Sequence, residues 1–320
     1  MRLPAIVATV LLATGLVAGV ASAAPRVPDA ARVQSSSSEI SAAAEFWTPE
    51  RMAAAKPVDR GVSVAQLRQA AQTSVLGRLS VPGTAPKVAP EEKLSTMAGQ
   101  WGSSWPRRHD WVSMTNGKVF FENNGFWECS GVVVNSAARN TVFTAGHCVH
   151  GGRGGAWARN WTFVPDYYFN DRPAGTWSAR QLFSLNGWIN DSNNSYDIGA
   201  AVMHPLNGRK LADVTGSQGI RFNGPGTPYV WHFGFPANPG FNGQDLINCD
   251  GWVSRPGDLR LPCNMHEGAS GGAWLADFNQ SWGYTVSVNS YHVGNDRTQI
   301  YGPYFGDGAK NLYDTVKNLA

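Results

Sequence analysis

From residue 115 onward the chain is cut into short runs of β-branched and aromatic residues separated by Gly, Asn, Asp and Pro. The runs 118–121, 131–135, 141–144, 161–164, 176–183, 198–203, 229–233, 246–253, 272–275 and 284–290 each have the length of one strand. Turn formers interrupt the pattern before a helix of ordinary length could develop an apolar face. Regularly spaced strands of this kind predict an all-β barrel or sandwich. Only the last stretch departs from the rule. Ala309, Leu312, Tyr313, Val316 and Leu319 form an apolar stripe at helical spacing, with Asp307 as its N-cap.

The residues before this region have a different composition. Residues 1–23 read as a secretory signal: Arg2 opens it, an apolar run spans 5–20, and Ala21-Ser22-Ala23 fits a small-x-small cleavage site. The run is short of the ~20 apolar residues that a membrane span needs, and a polar serine run, 35–38, follows it. Residues 24–100 are expected to be partly disordered, with helix-favouring stretches at 42–44, 53–55 and 64–71 and a Pro-rich linker at 81–90. From residue 101 the chain has 16 Lys and Arg against 16 Asp and Glu, so the +3 of the whole chain resides in the N-terminal part. A neutral domain has neither the basic stripe of a nucleic-acid binder nor a polybasic membrane patch, and no membrane association of the mature form is expected.

Cys129, Cys148, Cys249 and Cys263 form an even set in a chain read as exported, which favours two disulfides over a reactive thiol at Cys263. Four cysteines allow three pairings, and the spacing alone does not choose among them.

His266-Glu267-Gly268-Ala269-Ser270-Gly271-Gly272-Ala273-Trp274 sets a serine in a glycine-rich turn ahead of an apolar strand. Such a turn can expose a hydroxyl while neighbouring backbone N–H groups converge on one point, as acyl transfer requires. The same residues fit the nucleophile elbow Gly-x-Ser-x-Gly of α/β-hydrolases, in which an acid and then a histidine must follow the serine. Only 50 residues follow Ser270, and His292 is the one histidine among them, so that fold is excluded. A base and an acid are found upstream instead. Thr144-Ala145-Gly146-His147-Cys148 ends one apolar run, and Tyr196-Asp197-Ile198-Gly199 begins another. In the order His, Asp, Ser, these motifs resemble the trypsin/chymotrypsin-like serine peptidases, most closely the secreted bacterial members related to glutamyl endopeptidases, over residues 115–320.

The resemblance implies a fold of two six-stranded antiparallel β-barrels, with the active site in the cleft between them and a C-terminal helix. It implies a pro-segment in residues 24–100, a peptidase domain in 101–320, and secretion as a precursor. Ser270 is then the nucleophile, His147 the base that takes its proton, and Asp197 the group that orients the imidazole. The backbone N–H groups of Gly268 and Ser270 form the oxyanion hole. Ser290, in Val288-Asn289-Ser290-Tyr291, falls where the family places a serine on the triad acid. Asn264, six residues before Ser270, falls at the base of the specificity pocket, and its neutrality argues against cleavage after Arg or Lys. Asn289 and His292 fall on the segment lining that pocket, where an acidic side chain could be received. The implied disulfides are Cys129–Cys148 and, from the remaining two cysteines, Cys249–Cys263. Ala269 stands where digestive members carry an aspartate that pairs with a new N-terminus, so the resemblance does not carry that activation switch over to this chain. The expected partner is a protein or peptide substrate, with no cofactor and a monomeric chain.

Other features carry less. His147 and His150 lie three apart, but no further ligand cluster supports a metal site. Twelve of the thirteen tryptophans lie from residue 101 onward, including Trp157, Trp161, Trp177 and Trp188. Core packing is the commoner use of such residues, ahead of an aromatic platform for sugars. Residues 151–155 lack the Gly-Lys-Ser/Thr of a phosphate loop. Two other readings remain for the chain: a silent double-barrel homologue that binds a protein or polysaccharide, and an extracellular esterase with the same triad.

Overall fold

The computed structural model describes residues 30–34, 43, 45–68, 76–85, 101–255 and 257–320. The signal segment and the serine run 35–38 lie outside the described residues. The strands Asn116–Glu122, Phe126–Val134 and Thr141–Thr144 form a meander, and Thr141–Thr144 then pairs with Gly199–Met203. Gly199–Met203 pairs with Trp177–Leu185, which pairs with Arg159–Pro165, and that strand returns to Asn116–Glu122. Six antiparallel strands therefore close on themselves. Closure removes free edges and lets both strand faces be covered, so the sequence shows near-continuous apolar runs and not strict alternation. Val119, Val132, Val142, Phe143, Phe163 and Val202 are fully buried in this barrel.

The second unit is a sheet in which Gly219–Phe222, Tyr284–Val288, Ala273–Ala276, Tyr229–Gly234 and Ile247–Trp252 are successive neighbours. Leu259–Pro262 and Gln299–Gly302 pair with each other beside it. One cluster of its own contains Val230, Leu261, Met265, Trp274 and Ile300, while Ile220, Phe222, Phe233 and Leu275 join the core of the first barrel. This mostly-β architecture with few helices is that of the trypsin-like double barrel. Three of these strands, Gly219–Phe222, Leu259–Pro262 and Gln299–Gly302, were not among the expected runs. Each is four residues long and carries Gly, Pro, Arg or Gln. Their extended state comes from their pairing partners more than from local propensity.

The helix Asp307–Val316 closes the chain, burying Ala309, Leu312, Tyr313 and Val316, with Leu319 half-buried just beyond it. Its N-cap is Gly306, one residue earlier than expected. Asp307 is the first helical residue, and its carboxylate accepts from Asn223 Nδ2 at 2.8 Å and from the Leu76 amide at 3.1 Å.

The N-terminal residues dock on both units. Ala30–Gln34 pairs with residues 181–185, where the Trp177–Leu185 strand extends past Arg159–Pro165 and would otherwise present an open edge. The helix expected near 53–55 is Pro49–Ala54, started by Thr48 as N-cap and Pro49 at the first position. The helix expected at 64–71 is a 3₁₀ turn over Val64–Arg68. The linker expected from Val81 begins instead as the end of a strand, Leu79–Val81, paired to Gly219–Phe222. Residues 86–90 lie outside the described residues.

Candidate active site

Thr141–Thr144 runs into a single 3₁₀ turn, Gly146–Cys148, that projects His147 into the cleft. The Cys129–Cys148 disulfide, with Cα atoms 6.3 Å apart, ties this turn to the Phe126–Val134 strand. Closing a loop of this size is worth about 3 kcal/mol in the chain-entropy model. Cys249 and Cys263 form the second bridge, at 6.1 Å.

Asp197 lies at the end of a 3₁₀ turn, just before the Gly199–Met203 strand, and is fully buried. Its Oδ1 accepts the His147 backbone N–H at 2.7 Å, and its Oδ2 pairs with His147 Nδ1 at 2.8 Å. Ser290 Oγ donates to Oδ2 at 2.5 Å. Burial alone would raise the Asp197 pKa. The His147 and Arg60 charges, with the hydrogen bonds from His147 and Ser290, outweigh that and pull it down to about 2. An ionised carboxylate on Nδ1 fixes the tautomer that leaves Nε2 as the proton acceptor. Among the described residues His147 Nε2 is buried with no hydrogen-bond partner, and no hydrogen bond joins it to Ser270 Oγ.

The serine turn is held by its backbone. Ala269 N–H donates to His266 O and Gly272 N–H to Ala269 O, while Ser270 O accepts from Ser130 N–H at 2.7 Å across the cleft. Glu267 O is held by Ala237 N–H at 2.7 Å, which fixes the Glu267–Gly268 peptide so that Gly268 N–H points to the opposite side. Gly268 O accepts from Ser130 Oγ at 2.9 Å. Gly268 and Gly271 both have φ of +82°, where a side chain is strained. A Cβ on Gly271 would lie 2.1 Å from Thr144 Oγ1 and 2.3 Å from Ser130 O, so the two units meet at this glycine.

Asn264, expected at the base of a specificity pocket, directs its side-chain oxygen to Gly102 N–H at 2.7 Å. Asn289 is buried, exchanges backbone hydrogen bonds with Gly271 and Gly272, and leaves Oδ1 without a partner among the described residues. His292 Nε2 lies 2.8 Å from Asp59 Oδ1, and the His292 ring meets that of His266 edge to face at 5.4 Å. His266 is buried, its Nε2–H donates to Arg297 O at 2.8 Å, and burial lowers its pKa.

Several residues of this cleft were missed in the sequence. Arg60 places Nη1 3.1 Å from Asp197 Oδ2 and 3.2 Å from Ser290 Oγ, with its guanidinium 4.4 Å from the Trp188 ring centre. Val58 O accepts from Gly268 N–H at 3.1 Å. Asp258 is buried beneath the triad, accepting from Ser195 Oγ at 2.6 Å and from Tyr291 Oη at 2.9 Å. None of the three belongs to a local motif, and only the fold brings them to the cleft.

His150, paired with His147 as a conceivable metal site, uses Nδ1 to accept Gly152 N–H at 3.1 Å and packs its ring against Trp157. Cys129, His147 and Cys148 have donor atoms within 4.8 Å of one another. Both sulfurs are consumed in the disulfide, so they are not thiolate ligands. Of the named tryptophans, Trp161, Trp177 and Trp188 are buried and Trp157 is half-buried, which is the packing use. Among the described residues no helix is long and apolar enough to cross a membrane.

No family model matches the chain. The crystal structure of the protease Anisep from Arthrobacter nicotinovorans is 39% identical, covers 68% of this chain and 99% of its own, and superposes with a TM-score of 0.63. The thermostable serine protease AL20 from an extremophilic microorganism is 37% identical, covers 66% of this chain and 100% of its own, with a TM-score of 0.63. A Glu endopeptidase, 17% identical with a TM-score of 0.55, covers 70% of this chain and 98% of its own and shares the fold. Among curated proteins, an extracellular metalloprotease of Bacillus subtilis (strain 168) is 36% identical over 100 residues, 31% of this chain. The chain matches 29% of that relative's length.

Proposed function

The chain belongs to the trypsin-like serine proteases, and on that premise we propose that it is a secreted endopeptidase working through His147, Asp197 and Ser270. The observation that carries this reading is the double grip of the Asp197 carboxylate on His147, at the backbone N–H and at Nδ1. In the proposed reaction Ser270 Oγ attacks the substrate carbonyl as its proton passes to His147 Nε2. The carbonyl oxygen gains the charge and is received by the N–H groups of Gly268 and Ser270. The imidazolium, stabilised by Asp197, gives its proton to the leaving amine. An acyl-enzyme remains, and water hydrolyses it by the same steps with His147 again as base. Ser290 supports Asp197, whose Oδ2 it donates to.

Residues 1–23 as signal, 24–100 as pro-segment and 101–320 as peptidase domain complete the reading, with processing before activity. Asn289 and His292, beside His266, are proposed to line the primary specificity pocket. Asn264 is a weaker member, since its side-chain oxygen is already bonded to Gly102.

The test is labelling by a fluorophosphonate on protein from which processing has removed the residues before 101, followed by profiling on a mixed peptide library. One phosphonate per chain on Ser270 is expected, abolished by Ser270→Ala and reduced at least a thousandfold by His147→Ala. A processed protein that takes no label is a silent binding homologue, and one that turns over esters but no peptide is an esterase.

A further inference from the structure

Residues 56–62 cross the cleft from one unit to the other. Lys56 and Pro57 pair in parallel with Trp127 and Glu128 of the first barrel, and Val58 N–H donates to Glu128 O at 3.1 Å. Gly61 and Val62 pair in parallel with His292 and Val293, where Arg60 O accepts from His292 N–H at 3.1 Å and Val62 O from Gly294 N–H at 2.9 Å. The segment is anchored upstream. Trp47 is 1% exposed, tilted against Phe120 and edge-on to Phe126 with ring centres 5.4 and 5.6 Å away, and Met52 is also buried.

Between its two ends the segment meets Gly268, Asp197 and His292 with complementary groups. Val58 O occupies Gly268 N–H, the donor a substrate carbonyl would need. The Arg60 guanidinium sits on Asp197 Oδ2, the same oxygen that pairs with His147 Nδ1. A fixed cation there cancels part of the negative charge that stabilises the imidazolium, and so raises the barrier to proton transfer from Ser270. Asp59 places one carboxylate oxygen 2.8 Å from His292 Nε2 and the other 3.6 Å from Arg297.

Resting on the catalytic reading above, we propose that residues 56–62 are an autoinhibitory strap. It silences the enzyme by filling the oxyanion donor with Val58 O and by neutralising the triad acid with Arg60. Activation then requires release of this strap and not the docking of a new N-terminus at residue 269, which is Ala and offers no carboxylate.

The test measures fluorophosphonate labelling of Ser270 in the intact full chain, with the chain checked by mass before and after, for the wild type, Arg60→Gln, and the triple variant Val58→Gly, Asp59→Gly, Arg60→Gly. Both variants are expected to label at least tenfold faster than the wild type. A synthetic peptide of residues 55–63 should slow the triple variant again, whereas the same peptide with Arg60→Gln should act more weakly. Thermal melting shows that each variant is folded, and the peptide arm reads the strap without relying on the single substitution. An intact wild-type chain that labels and cleaves as fast as the variants overturns the strap and leaves the catalytic reading standing. Intact variants that label no faster than the wild type also overturn the strap, and labelling of the processed protein decides the catalytic reading separately.

Discussion

The two units build the cleft from different kinds of group. The closed barrel contributes side chains, with His147 set on a disulfide-anchored turn and Asp197 buried at the head of a strand. The second unit contributes the Ser270 and Ser290 hydroxyls, but its distinctive part is backbone: Gly268 N–H is aimed by the Glu267 to Ala237 hydrogen bond, and the serine turn is closed by its own amides. Orientation of a side chain depends on a few partner atoms, whereas orientation of a peptide depends on which φ and ψ the chain can adopt. The strap meets both kinds of group, placing the Arg60 side chain on Asp197 and the Val58 carbonyl on Gly268 N–H.

The comparison breaks most sharply at Asp197. Asp197→Asn keeps the shape and the buried contacts but loses the charge and the acceptor at Nδ1. A fall of about 10⁴ in kcat of the processed enzyme is expected, with a small change in melting temperature. Steady-state turnover on the best library peptide measures it. A loss under tenfold would mean that the carboxylate does not set the tautomer of His147.

The backbone half is expected to answer to a Cβ alone. Gly268→Ala asks a residue at φ +82° to carry a side chain, with its Cβ 2.7 Å from Phe235 O. The peptide must rotate, and losing one oxyanion donor costs on the order of 10²–10³ in turnover. KM should change far less than kcat, because the donor acts mainly on the charge that develops in the transition state. Equal changes in both would assign Gly268 to substrate binding.

The same division explains what could be read from the sequence. The strand runs of the closed barrel were legible because each is apolar and bounded by turn formers, and 141–144 was placed to the residue. His147, Asp197 and Ser270 stood out because each sits in a short motif with its own spacing, and the structure pairs His147 with Asp197. Leu259–Pro262 was not, since a strand ending in proline is extended only because Gln299–Gly302 pairs with it. Asn264 shows the limit of counting from a motif: the offset from Ser270 suggests a pocket residue, but Gly102, 162 positions away, takes its side-chain oxygen. Arg60 shows it again, because an arginine 137 positions before Asp197 has no local pattern that ties it to the triad.

The smallest expected effect touches stability and not catalysis. His232 lies in the Tyr229–Gly234 strand, wholly buried, with Nδ1 donating to Ala273 O at 3.1 Å and Nε2 lacking a partner among the described residues. Burial lowers its pKa to about 4, against the ordinary 6.5, and the nearby His266 adds to the shift while the Ala273 carbonyl opposes it. Between those values the unfolded chain binds a proton that the folded chain refuses, so stability rises with pH there. The contribution is complete above about pH 6.5 and is lost progressively as pH falls toward 4, to a total of about 3 kcal/mol. Asp197, with its pKa held near 2, gives up its own contribution only below the ordinary carboxylate range, so the two windows separate. Urea unfolding midpoints at pH 7, 5.5 and 4.5 for the wild type and His232→Asn read the difference. The variant should be less stable at pH 7 if the buried site repacks poorly, yet its stability should fall less steeply over this interval. Parallel pH slopes in the two proteins would show that His232 takes up its proton in the folded state.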